Sequence, residues 1–191
     1  MMWGWFSSQM LISCVRGLPM STLRLAVIGA GVVGRSHAQR IAGASFCSLA
    51  GICDNDPNRR NVATEHNSGF YADTDILLQQ ESPDGVIIAT PNASHAPMAM
   101  AAASNGKHVL CEKPLGMNQS ETLDMLRCAR EHGIRHMTAF TYRFVPAMRY
   151  MKHLVESGGI GQPYHIRTCR LQDWGNRNLC LLYTSPSPRD S

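Results

Sequence analysis

The chain has 191 residues, 44% hydrophobic and 17% charged, a globular composition that excludes disorder over most of its length. It carries 18 basic and 14 acidic residues, a net charge of +4, with no Lys/Arg-rich cluster, so no nucleic-acid partner is expected. No apolar run reaches the roughly 18 residues of a membrane-spanning helix, so no membrane partner is expected either.

The charge is uneven. Residues 1–53 hold Arg16, Arg24, Arg35 and Arg40 and no acid. A basic front half suits an anionic cofactor. Seven cysteines stand at 14, 47, 53, 111, 128, 169 and 180 with no C-x-x-C pair. That pattern argues against a zinc ribbon or a disulfide framework and for reduced thiols in a cytoplasmic protein. The histidines at 132, 136, 153 and 165 share no spacing that calls for a metal, so no metal site is expected.

Residues 1–20 read as a doubtful leader, neither a signal peptide nor a structural element. Met20 stands just before the first strand and reads as the natural start; a transit peptide is the alternative. Leu23–Ile28 is a short apolar strand buried on both faces. Val32–Ala44 reads as a helix and Ser48–Cys53 as a second strand ending at Asp54. Pro57–Asn67 reads as a polar helix capped by Asp56. A short strand at Phe70–Tyr71 and a helix at Thr74–Gln80 follow. Gly85–Ala89 is a fourth strand. Ala93–Asn105 is a helix with Asn92 as N-cap, ended by Gly106. His108–Cys111 is a fifth strand. Asn118 and Glu121 have capping-box spacing for a helix running to His132, with Gly133 just past its end. Ile134–Phe140, Pro146–Glu156 and Tyr164–Leu171 read as strand, helix and strand. Met98, Met100, Met148 and Met151 read as core.

Strands alternating with helices predict an α/β fold, a doubly wound parallel Rossmann sheet. The expected dinucleotide-binding unit spans residues 21–141. Residues 179–191, with Ser-Pro-Ser-Pro-Arg, read as a disordered or artefactual tail, so the natural chain is expected to continue past 178.

Gly29-Ala30-Gly31-Val32-Val33-Gly34 is G-x-G-x-x-G between a strand and a helix. Gly29 permits a tight turn, Gly31 lets backbone approach a diphosphate, and Gly34 lets the helix pack on the strand. Asp54, twenty residues after Gly34, sits where a carboxylate accepts from a ribose 2′-OH and repels a 2′-phosphate. NAD is favoured over NADP, with Arg59 and Arg60 leaving NADP open. Thr90-Pro91-Asn92 follows the fourth strand and Glu112-Lys113-Pro114 the fifth, at carboxyl ends where such sheets place ligands. Lys113 leaves an apolar strand; partial desolvation there would lower its pKa and let it move protons, while a solvated strand-end lysine is the competing reading. His95, in a first helical turn, reads as structural or cofactor-edge.

These motifs, with Tyr142-Arg143-Phe144, resemble the Gfo/Idh/MocA family, NAD(P)-dependent oxidoreductases of sugars, inositols and polyols. The resemblance covers about residues 22–178 and implies that 142–178 are the start of a truncated α+β substrate domain. It implies a catalytic Lys113, a cofactor lined by Gly29, Gly31, Val32, Val33, Gly34, Asp54, Thr90, Pro91, Asn92, His95 and Glu112, Arg143 near the nicotinamide, and a cis Lys113–Pro114 bond. It implies an enzyme acting on CH–OH groups of a small-molecule sugar or polyol, and a whole protein that is a homo-oligomer. An Asp/His pair expected in the second domain does not occur: Asp173 has no His after it. The chain alone is therefore expected to be weakly active or inactive. The alternatives are a non-catalytic nucleotide sensor on the same fold and a methyltransferase, which the six strands and Lys113-Pro114 disfavour.

Overall fold

The structure, a computed structural model, describes residues 22–169. The expectations for 1–20, for Asp173 and for the 179–191 tail fall outside them. The chain divides into two compact units, up to Thr141 and from Tyr142.

The first unit holds six strands: β1 Leu23–Ile28, β2 Cys47–Cys53, β3 Gly69–Tyr71, β4 Gly85–Ile88, β5 His108–Cys111 and β6 His136–Thr138. All pairings are parallel, in the order β3-β2-β1-β4-β5-β6. The helices are α1 Val32–Ala42, α2 Arg60–Glu65, α3 Thr74–Glu81, α4 His95–Ser104 and α5 Gln119–Glu131. This is the doubly wound sheet, and the order reverses between β1 and β4.

The strand period of two divides the apolar residues between two faces. Val27, Ile52 and Ile87 pack with Ala38 and Ile41 of α1 and Val62 and Ala63 of α2. Ala26, Ile28, Val86 and Ile88 pack with Leu77 and Leu78 of α3, Ala99 and Ala103 of α4, and Met125 and Ala129 of α5. Both faces are covered, which is why these strands read as unbroken apolar runs. Met98 and Met100 pack against the second cluster, half-buried.

Local chemistry sets the helix ends. Asp56 accepts from Asn58 N at 3.0 Å ahead of Pro57, but residues Pro57–Arg59 form a 310 turn and α2 is short. Asn118 accepts from Glu121 N at 2.9 Å, and Glu121 reaches back to Met117 N at 2.9 Å. Asn92 does not cap α4. With Pro91 extended at ψ 147°, the chain first makes a 310 turn over Asn92–Ser94, and the helix begins at His95. β6 is shorter than its apolar run because its partners are Val109, Leu110 and Cys111 alone. Among the described residues no helix is long and apolar enough to cross a membrane.

The 310 turn Thr141–Phe144 begins at the last residue of the first unit, and the second unit holds its remainder and α6, Pro146–Glu156. Met148 and Met151, expected in the core, are exposed. As the sole α-helix among the unit's described residues, α6 has none there against which to bury a face. The expected strand from Tyr164 is absent over 164–169, since no described strand pairs with it; 170 and 171 lie outside the described residues.

Candidate functional site

Strand register builds the site. Ile28 pairs with Cys53 of β2 and with Ile88 of β4, and Ile88 pairs with Cys111 of β5. One residue further on, Asp54, Gly29, Ala89 and Glu112 therefore stand in a row along the carboxyl edge. Backbone bonds fix that row: Gly29 N donates to Cys53 O at 2.8 Å, Ala89 N to Ile28 O at 2.8 Å, and Glu112 N to Ile88 O at 2.9 Å. At about 4.8 Å between strands, the row spans roughly 14 Å. A cleft of ≈710 Å³ opens along the Asp54–Gly29–Ala89 part of the row, lined by Gly29, Gly31, Asp54, Thr90 and Pro91 and, beside them, Arg59.

The three glycines of the loop differ in what requires them. Gly29 has φ +96°, and a Cβ there would meet Ala89 O at 2.6 Å. A Cβ on Gly34 would come within 1.7 Å of Gly29 O. Conformation and packing demand glycine at both. Gly31 has φ −66°, open to any residue, and a Cβ there would meet only Arg59 Nη1, at 3.6 Å. Apart from that guanidinium nitrogen, the position above Gly31 is open to the cleft. Gly31 is also the N-cap of α1, which has no side-chain cap and no acid in its first turn. The first amides and the positive dipole end of α1 are thus available to an anion.

Asp54 does more than its place at the end of β2 implies. One carboxylate oxygen accepts from Ala30 N at 2.6 Å and the other from Asp56 N at 2.9 Å. The carboxylate thus ties the glycine loop to the end of β2 while facing the cleft. Arg59 donates from Nη1 to Ala30 O at 3.1 Å and lies 3.6 Å from Asp56 and 4.0 Å from Asp54. Arg60 stands over the Phe70 ring at 4.8 Å instead. Residue type does not reveal these bonds to backbone, so sequence reasoning missed the loop-holding role of Asp54.

The remaining candidates of the first unit lie around this core. Val32 is 90% exposed and lines a neighbouring recess with Gly31, Arg35 and Arg59. Val33 is exposed. Asn92 opens the 310 turn that brings Ser94 Oγ to Thr90 Oγ1 at 2.9 Å. His95 is only 1% exposed: Nε2 faces Thr90 O at 2.9 Å and Nδ1 faces Pro114 O at 2.8 Å. Glu112 pairs with His37 of α1 at 3.0 Å, and no sequence signal singled His37 out. Lys113 precedes a cis peptide bond to Pro114. It is exposed, so the desolvation expected from its apolar strand is absent: β5 ends at Cys111 and Lys113 lies two residues beyond. Arg143 belongs to the second unit, on its 310 turn.

Two buried thiols close the strand ends. Burial pushes the Cys111 thiol up to about 12, with the Glu112 charge adding to the effect. Burial also raises Cys53.

The Gfo/Idh/MocA family model, described as an oxidoreductase family with an NAD-binding Rossmann fold, matches residues 23–140. The chain belongs to this family. Among its Gfo/Idh/MocA relatives, levoglucosan dehydrogenase of Pseudarthrobacter phenanthrenivorans is 33% identical over 81% of the chain and 42% of the relative. Inositol 2-dehydrogenase 4 of Saccharopolyspora erythraea is 34% identical over 74% of the chain and 43% of the relative. A scyllo-inositol dehydrogenase structure from Lactobacillus casei, with bound NAD(H) and scyllo-inositol, is similar at TM-score 0.71 and 27% identity. It covers 74% of this chain and 43% of that one. The chain thus spans about two fifths of the length of the relatives it matches.

Proposed function

We propose that this chain is the cofactor-binding part of an NAD(P)-dependent dehydrogenase that moves a hydride between the nicotinamide and a hydroxyl-bearing carbon of a sugar, inositol or related polyol. The carrying observation is Gly31. Neither its φ nor its neighbours require glycine, and the space a side chain would fill lies in the cleft at the N-terminus of α1. That is the cradle a diphosphate needs.

The residues present fit NAD. The first amides of α1 and the bare backbone at Gly31 take the diphosphate. Asp54, held by Ala30 N and Asp56 N, keeps lone pairs for the adenosine ribose hydroxyls and repels a 2′-phosphate. Thr90, Pro91 and Asn92 carry the site across the switch point to Glu112 and Lys113. When bound, the nicotinamide supplies the hydride acceptor or donor. Lys113 Nζ, as the neutral amine, receives the substrate hydroxyl proton during oxidation and, as the ammonium, returns it during reduction. Arg143 is assigned to the nicotinamide end, and Val32 and Val33 to the flank of the diphosphate loop. Residues 21–141 form the dinucleotide domain and 142–178 begin the substrate domain. Cytoplasmic residence and a homo-oligomeric whole protein complete the reading.

NADH titration of the chain, followed by fluorescence, tests the cofactor half; saturable binding that is lost in Gly31→Val supports it, and no binding refutes it. Incubating the complete protein with NAD and a panel of inositols and sugars tests the substrate half. No NADH formation with any of them refutes it.

A further inference from the structure

Lys113 is exposed, yet both of its chain neighbours are gripped. Before it, Glu112 Oε1 meets His37 Nε2 at 3.0 Å, while Glu112 Oε2 accepts from Lys113 N at 3.3 Å. After it, Pro114 O faces His95 Nδ1 at 2.8 Å. The two imidazoles come from α1 and α4, helices on opposite faces of the sheet. α1 follows the glycine loop, and His95 Nε2 also faces Thr90 O at 2.9 Å, in the other cofactor-lining loop.

Burying a polar ring at 1% exposure is costlier than burying an apolar one of equal size unless its bonds are made. Carbonyl oxygens only accept, so each bond His95 forms to Pro114 or Thr90 is one the ring donates.

We propose that His37 and His95 are positioning residues for Lys113. They hold the residues on either side of it, His37 through the Glu112 carboxylate and His95 through the Pro114 carbonyl, and so tie its loop to α1 and α4, the helices that follow the two loops lining the cleft. The proposal rests on the function proposed above only in giving Lys113 something to aim at. Neither histidine touches the reacting atoms. Each sets the direction in which the Lys113 side chain leaves the backbone.

The test exploits side-chain geometry. An Asn amide nitrogen stands where His Nδ1 stands, and a Gln amide nitrogen where His Nε2 stands. His95→Asn therefore keeps the Pro114 bond and His95→Gln loses it, whereas His37→Gln keeps the Glu112 bond and His37→Asn loses it. The chain has three lysines, at 107, 113 and 152, so reductive 13C-dimethylation gives a sparse NMR spectrum. Lys113→Arg assigns the Lys113 signal. Two quantities are read: hydrogen exchange of residues 112–117 without nucleotide, and the shift of the Lys113 methyl signal at saturating NADH.

The expected result is a crossed pattern. Exchange rises at least tenfold and the NADH-induced shift falls at least threefold in His95→Gln and His37→Asn, while both stay within twofold of wild type in His95→Asn and His37→Gln. A role in packing alone would rank Asn and Gln the same way at both positions, and that outcome overturns the proposal. If wild-type Lys113 gives no shift with NADH, its place beside the nicotinamide is refuted, and the crossed exchange pattern still decides the clamp.

Discussion

Replacing Gly34 and Gly31 separately by alanine should divide the glycine loop into a folding part and a binding part. On Gly34 the added methyl carbon would lie 1.7 Å from Gly29 O and 2.8 Å from Gly29 C, both backbone atoms. Relief requires α1 to move off β1 by more than an ångström. Overpacking against backbone costs about 3 kcal/mol or more. For a unit of this size that lowers Tm by about 10 °C. On Gly31 the methyl meets a single side-chain atom at 3.6 Å, an ordinary contact, at a φ of −66° that alanine adopts freely. The lower unfolded-state entropy of alanine and its poorer N-cap quality oppose one another, each by about 0.5 kcal/mol. Gly31→Ala should therefore melt within about 2 °C of wild type. Its methyl stands between a diphosphate and the amides, and loss of one charge-assisted hydrogen bond costs about 1.5–3 kcal/mol. NADH affinity should fall at least tenfold, about 1.4 kcal/mol. Circular dichroism melts and NADH fluorescence titrations on the same samples give both numbers. If Gly34→Ala melts like wild type, or Gly31→Ala binds NADH normally, the assignment of separate roles is wrong.

Three further outcomes follow from the geometry. Asp54→Ser should weaken NADH binding at least tenfold and narrow or invert the preference over NADPH, since the charge that repels a 2′-phosphate is gone; paired titrations show this, and an unchanged ratio refutes it. Asn118→Ala should cost about 1 kcal/mol in denaturant unfolding by removing the acceptor for Glu121 N at the start of α5. The third concerns Cys111, whose thiol sits near 12 when folded against 9.0 when unfolded, so the native state holds this proton more tightly. Its stabilising contribution is whole below pH 9 and is lost as pH rises from 9 toward 12. Cys111→Ala should then be less stable than wild type at pH 8, with the gap closing above pH 9 by up to about 1.4 kcal/mol per unit. A gap that stays constant to pH 10.5 would contradict this.

The alternation of strands and helices, the parallel sheet, the glycine loop and the acid at the end of β2 are legible in the residues alone. These are local signals: apolar runs with a period, and punctuation by Gly, Pro, Asp and Asn. Asn118 and Asp56 cap where their spacing says they should, because a side-chain-to-backbone bond over two or three residues is itself local. Asn92 fails as a cap because Pro91, also local, diverts the chain into a 310 turn first. Met148 and Met151 fail as core because burial depends on what lies opposite, and among the described residues of its unit α6 has no second helix or strand to pack on.

The closed fold sets which groups meet. Strand register puts Asp54, Gly29, Ala89 and Glu112 on one edge, and pairs separated by tens of residues hold the site: Asp54 with Ala30, His37 with Glu112, His95 with Pro114. It also decided that Lys113 is exposed and held through its neighbours rather than desolvated in a pocket. A side chain's identity fixes what it can donate or accept, but only the closed fold supplies the atom on the other end of the bond.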